Sequence, residues 1–195
     1  MARAKRCLAN NDLESLFYAA FEVRCGIEAR MQEYLEVQEH VSKKKRQGWH
    51  VAKLARNIED VFRLGEKEAL LRVREKQTRE VIFEARYTPV TKSLQKKAKT
   101  LGNFLHAAKK YHAPDSPHWT KFRAGLETAV SELGHANSGR LLGPLLIHPN
   151  KKYIDMKLEL PTPEEQAAVK RMAVGVETIM EVSYEDENGT DLFSR

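Results

Sequence analysis

The sequence predicts a mainly α-helical protein, a bundle of about four principal helices over residues 1–148 with a small strand-helix-strand addition and acidic tail over 149–195. Apolar residues recur at three- and four-residue steps through four separate stretches, the spacing that lines one face of a helix. Only 10 Gly and 7 Pro stand in 195 residues to interrupt them. Apolar/polar alternation, the mark of a half-exposed strand, runs through 153–160 and 176–184.

The first helix runs from residue 12 to about 42, with Leu13, Leu16, Phe17, Ala20, Phe21, Ile27, Met31, Tyr34 and Leu35 on its apolar side and Asn11 or Asp12 as its cap. KKKRQG at 43–48 breaks the pattern. A second helix starts near Trp49, and its stripe is Val51, Leu54, Ile58, Val61 and Phe62. Glu66 to Glu80 is mostly charge, yet it lacks Pro and Gly and is rich in Glu, Lys, Arg and Leu, so it also reads as helix. VIFEARYTPV at 81–90 is β-prone and ends at a proline, which predicts a short strand or extended connection.

Thr91 or Ser93 caps the third helix, which carries Leu94, Ala98, Leu101, Leu105 and Ala108 to about Tyr111. After the turn-like APDSPH, Ser116-Pro117 opens a fourth helix with Trp119, Phe122, Leu126, Val130 and Leu133 inward and Gly134 at its end. YIDMKLEL at 153–160 alternates and predicts a strand. Thr162-Pro163-Glu164-Glu165 starts a short helix to about Val174, residues 176–184 predict a last strand, and EDENGTD at 185–191 a solvated tail.

Charge is unevenly spread. Residues 41–110 hold 19 basic against 7 acidic groups, whereas 1–40 hold 5 against 7 and 111–195 hold 9 against 13. A basic middle third attracts polyanions, RNA or DNA phosphate first, or docks an acidic protein partner in a non-enzymatic helical interaction module; a long solvated helix face is the plainer account. KKKR, that is Lys43, Lys44, Lys45 and Arg46, forms a short basic cluster for nucleic-acid contact. No apolar run approaches the roughly 20 residues of a membrane-spanning helix, and MARAKRCLANN lacks an apolar signal core, so a cytoplasmic protein without membrane attachment is expected.

Two cysteines, Cys7 and Cys25, form neither a disulfide framework nor a C-x-x-C pair. GxxxxGK[ST], GxGxxG, HExxH and GxSxG are all missing, which removes the motif basis for P-loop NTPases, dinucleotide enzymes, zincins and serine hydrolases. His112-x-x-Asp115-x-x-His118 has no established ligand spacing and reads as an exposed turn. Trp49-His50 reads as a staple for the first turn of the second helix. No metal and no cofactor are expected.

Two groups of residues stand out. At about 100° per residue, Arg24 falls on the apolar side of the first helix and Glu28 one turn on, so Arg24 is expected to be largely buried and paired with Glu28. The pair either fixes helix packing or lets Arg24 line a pocket or groove for an anion. On the third helix Lys99, Asn103 and His106 form a polar ridge at i, i+4 and i+7. This is either a solvated face or a place to hold a phosphate, with His106 as general acid or base.

An in-facing R-x-x-x-E on a long first helix, a second amphipathic helix, and a later helix whose ridge ends in Leu105-His106 resemble the HEPN superfamily. Its signature is Arg and His separated by four to six residues. Here the nearest match is Lys99-Thr100-Leu101-Gly102-Asn103-Phe104-Leu105-His106, with Lys99 in the arginine's place. The resemblance covers about residues 12–135. It implies an RNA-directed protein of prokaryotic defence or toxin-antitoxin type, a metal-independent endoribonuclease or a degenerate RNA-binding relative, acting as a homodimer. Lys99, Asn103 and His106 would then be catalytic, with Arg24 and Glu28 organising the site.

Overall fold

The computed structural model describes the chain apart from Asn11, Trp49, residues 107–110 and 148–153, Val176 and residues 186–195. The expected Asn11 cap, the Trp49 staple and most of the solvated tail lie outside the described residues. The protein is mainly α-helical, and its contacts divide it into two units: Met1–Val61 with Val90–Asn137, and Phe62–Pro89 with Ser138–Arg195.

The first unit is helical. Helix α1 (Ala2–Ala9) precedes α2 (Leu13–Glu36), whose start is capped by Asp12 accepting from the Ser15 amide at 2.7 Å. The buried side of α2 is Leu16, Ala19, Ala20, Val23, Ile27, Arg30, Met31, Tyr34 and Leu35. Phe17 and Phe21, expected inward, are 40% and 52% exposed. The reason is a choice between neighbouring stripes: Ala19, Ala20 and Val23 are small enough for other helices to approach α2 closely, and the bulky Phe stripe is rotated off that seam.

Around α2 pack α1, α5 (Lys92–Leu105) and α6 (Pro117–Ala136). Thr91 and Ser116 cap the latter two through their hydroxyls. Leu94, Ala98 and Leu101 of α5 and Leu126, Ala129, Val130 and Leu133 of α6 are buried. The four-residue α3 (Lys43–Arg46) is tied to α4 (Val51–Phe62) by Asn57 Nδ2 donating to the Lys45 carbonyl at 2.8 Å. Helix α5 stops at Leu105, so His106 is its extended C-cap and lies outside the helix.

The second unit holds an antiparallel sheet in the order β2-β1-β5, from β1 (Glu68–Glu75), β2 (Val81–Tyr87) and β5 (Thr178–Glu185). The helix expected over Glu66–Glu80 is a strand and a hairpin turn, in which Glu75 N donates to Glu80 O at 2.9 Å. As the middle strand, β1 has both backbone edges paired, and Ala69, Leu70, Leu71 and Val73 are buried, which outweighs local helix propensity. Its charges pair across strands: Arg72 with Glu84 at 2.8 Å and Arg74 with Glu181 at 3.0 Å. Arg86 reaches both the buried Glu68 at 2.9 Å and Glu185 at 3.3 Å. Its hydrogen bond to Glu68 leads the effects that raise the guanidinium pKa, against the opposing pull of burial.

Of the strand expected over 153–160, Ile154–Asp155 is β4, paired with β3 (Leu146–Ile147), and Leu158 makes one bridge to Leu141. Helix α7 (Pro163–Ala173) starts at the expected place, where Thr162 and Glu165 cap one another reciprocally.

Candidate nucleic-acid interface

Arg24 and Glu28 meet as their i, i+4 spacing predicts, Nε donating to Oε1 at 2.9 Å. The pair is not deeply buried: the two side chains are 26% and 17% exposed. Because Nε faces the carboxylate, the guanidinium is held at one edge while both terminal nitrogens make no hydrogen bond among the described residues. That guanidinium lies over Gly102 of α5, where a Cβ would stand only 2.8 Å from its central carbon. Only glycine at 102 lets it rest there. The result is a planar donor oriented by an acid at Nε, with Nη1 set against Gly102 and both terminal nitrogens without a hydrogen-bond partner among the described residues, a group whose chemistry is to grip a phosphate or carboxylate with two parallel hydrogen bonds.

Gly102 sits within the Lys99–His106 segment, so Arg24 comes to the helix that carries the polar ridge. Lys99, Asn103 and His106 are all exposed, and their side chains have no hydrogen-bond or ionic partner among the described residues. The ridge is longer than the sequence alone indicates. Lys92 and Lys96 continue it backwards at the same alternating steps of three and four, and both are exposed. One face of α5 therefore carries three lysines, an asparagine and, at the C-cap, a histidine.

The four residues of α3 divide. Lys43 and Lys44 are exposed, their side chains without a partner among the described residues, while Lys45 pairs with Asp60 at 3.3 Å and Arg46 Nη1 donates to the Glu36 carbonyl at 3.3 Å, where α2 ends. Half of the cluster holds structure, which leaves two lysines for a polyanion.

An aromatic cluster is not foreseen from the sequence. Phe104 stacks on Phe17 with ring centres 4.6 Å apart and on Phe122 at 3.9 Å, and Trp119 stands edge-on to Phe104 at 5.8 Å. His118 joins it beside Trp119 at 5.0 Å, and its ring lies flat on that of His112 at 3.8 Å. These two histidines thus stack on each other, and no group of three metal-ligating side chains occurs among the described residues. The spacing of Phe17, Phe21, Arg24 and Glu28 by four, three and four is the signal available in the sequence: it marks a second stripe on α2, partly turned to solvent.

Arg30 is likewise not foreseen. Among the described residues it is the arginine that is truly buried, at 4% exposure, with Nε donating to the Tyr34 hydroxyl at 2.9 Å and the Ala136 carbonyl at 3.1 Å, and Nη1 donating to Glu33 at 2.6 Å. Burial pulls its pKa down, and Tyr34 and Glu33 together more than offset that, so it is held above its ordinary value.

Among the described residues no helix is long and apolar enough to cross a membrane. The chain matches no protein-family model, no curated protein and no solved structure.

Proposed function

We propose that the protein is a HEPN-like, RNA-directed protein of the cytoplasm, of defence or toxin-antitoxin type, in which α2 and α5, packed on one another, carry the residues matched to that superfamily. The observation that carries the reading is the Arg24 guanidinium, oriented by Glu28 and resting on Gly102 with its two terminal nitrogens free. In the superfamily signature an arginine precedes the histidine on one helix. Here Lys99 holds that position, and Arg24 brings a guanidinium to the same helix from α2, supplying the bidentate grip that a lysine lacks.

The chemistry follows from the residue types. The 2′-hydroxyl of RNA attacks the adjacent phosphorus, the bond to the 5′-oxygen breaks, and a 2′,3′-cyclic phosphate and a 5′-hydroxyl result. His106 takes the proton from the 2′-hydroxyl or delivers one to the departing 5′-oxygen. Arg24 and Lys99 stabilise the charge that builds on the phosphoryl oxygens, and Asn103 orients the phosphate. The nucleophile belongs to the substrate, so this route needs no metal. A second copy of the chain would cover the exposed Tyr18 and Phe21 of α2 and bring a second His106 for the other proton transfer.

Labelled single-stranded RNA, incubated with the purified chain in a divalent-metal chelator, tests the reading. Expected are cleavage of RNA and not of DNA, its loss by about 100- to 10,000-fold in His106→Ala with binding intact, and its loss in Gly102→Ala, whose Cβ displaces Arg24. Binding without cleavage leaves the RNA-binding relative. RNA binding no stronger than background at low salt overturns the proposal.

A further inference from the structure

On the other side of α5 from Gly102 a groove of about 350 Å³ runs between α5 and α6. Leu101, Phe122, Leu126 and Ala129 form its apolar floor, and Lys96, Lys97 and Lys121 stand on its rim. Lys97 is neutralised by Glu132, which also accepts from Ser93, whereas the Lys96 and Lys121 side chains have no partner among the described residues. Gly125 lies in the wall, well inside the 20-residue α6, and a Cβ there would meet nothing within 4 Å. A mid-helix glycine destabilises by about 1 kcal/mol relative to alanine, and packing does not require this one. What its missing side chain does is keep the groove open.

We propose that this groove seats one unpaired nucleobase of a single-stranded RNA, flat against Phe122, while Lys96 and Lys121 hold the phosphates on either side. The inference rests on the RNA-directed reading above and names its substrate class. Charge complementarity selects the occupant: an apolar, planar body flanked by anions fits an apolar floor with a free lysine on α5 and another on α6. Lys96 belongs both to this rim and to the ridge running through Lys99 and Asn103 to His106, so a strand following α5 can place a base in the groove and a neighbouring phosphate on the ridge. A paired base cannot enter, because its flat face and edge are covered in a duplex.

The test compares the full chain with Gly125→Leu, which fills the groove with a better helix former, and with Gly125→Ala, which barely fills it. Each is titrated with a uridine oligonucleotide and with inorganic polyphosphate, a polyanion without bases. The expected result is about a tenfold weaker affinity of Gly125→Leu for the oligonucleotide, the size of one lost base–aromatic stack, with polyphosphate binding unchanged, Gly125→Ala close to wild type, and no fall in melting temperature. If wild type binds RNA and Gly125→Leu binds it equally well, the base site is overturned, the RNA-directed reading stands, and the groove is left to an acidic amphipathic helix. If wild type does not bind RNA at all, the RNA-directed reading itself has failed and takes this inference with it.

Discussion

Arg24 and Arg30 lie six residues apart on α2, and the helix treats them oppositely. Arg30 is sealed in with Tyr34, Glu33 and the Ala136 carbonyl as partners, so its donors are spent on holding α6 to α2. Arg24 commits one nitrogen to Glu28, rests Nη1 against Gly102 and stays partly exposed, its terminal nitrogens without a hydrogen-bond partner among the described residues. The difference teaches that burial alone does not mark a functional charge. A saturated arginine is structure, while a partly exposed one that a carboxylate orients but does not saturate is equipped for a ligand.

The sharpest break between the two is stability. Arg30→Met removes the hydrogen bonds to Tyr34, Glu33 and the Ala136 carbonyl from a buried cation and is expected to cost about 3 kcal/mol, read from the urea midpoint at constant slope. Arg24→Met, at a quarter exposure, is expected to cost about 1 kcal/mol and yet to weaken RNA binding about tenfold or more; Arg24→Lys recovers the stability and not the affinity. Changing Glu28 to an apolar residue as well should return part of that stability, and strictly additive effects would mean the two are not coupled. Equal stability losses at 24 and 30 would erase the distinction.

A smaller effect separates the two basic regions. Neutralising Lys43 and Lys44 together should lower the salt slope of single-strand binding by up to about 1.4, that is about 0.7 for each phosphate the chain no longer neutralises, if the strand reaches α3. An unchanged slope would confine the interface to α5 and α6. The smallest effect lies at the start of the same helix that bears both arginines. The Ser15 amide, and then its hydroxyl, hold the Asp12 carboxyl below its ordinary value of 3.8. A lowered folded value means that the stabilisation is complete above the unfolded value and fades as pH falls through the folded one, so it is lost only below about pH 4. Asp12→Asn should therefore lower the melting temperature slightly at neutral pH and converge on wild type well below about pH 4, which flattens the acid limb of a thermal pH profile.

Helix positions with both a stripe and a cap are readable from the sequence. Thr91, Ser116 and the Thr162–Glu165 box start α5, α6 and α7, as their side chains predict. The pairing of Arg24 with Glu28 follows from spacing, since neighbours one turn apart meet whatever surrounds them. What cannot be read depends on partners distant in sequence. Glu68–Glu75 has the composition of a charged helix, and only Glu84 and Glu181 on flanking strands turn its arginines into cross-strand pairs. Arg30 hides in an apolar seam because its acceptor, the Ala136 carbonyl, comes from the far end of α6. Phe17 has the hydropathy of a core residue, although Phe104 and Trp119 meet it in a half-open cluster.

The placement of β1 has a consequence for how the chain is made. Its partner β2 follows after one short turn, but the strand on its other side, Thr178–Glu185, leaves the ribosome about a hundred residues later, roughly 5 to 20 seconds at ordinary synthesis rates. Throughout that interval the β1–β2 hairpin presents an apolar strand with open amide and carbonyl groups, a template for any passing strand. A nascent chain halted before residue 178 would keep that edge bare, and chaperone demand during translation should fall when β5 emerges.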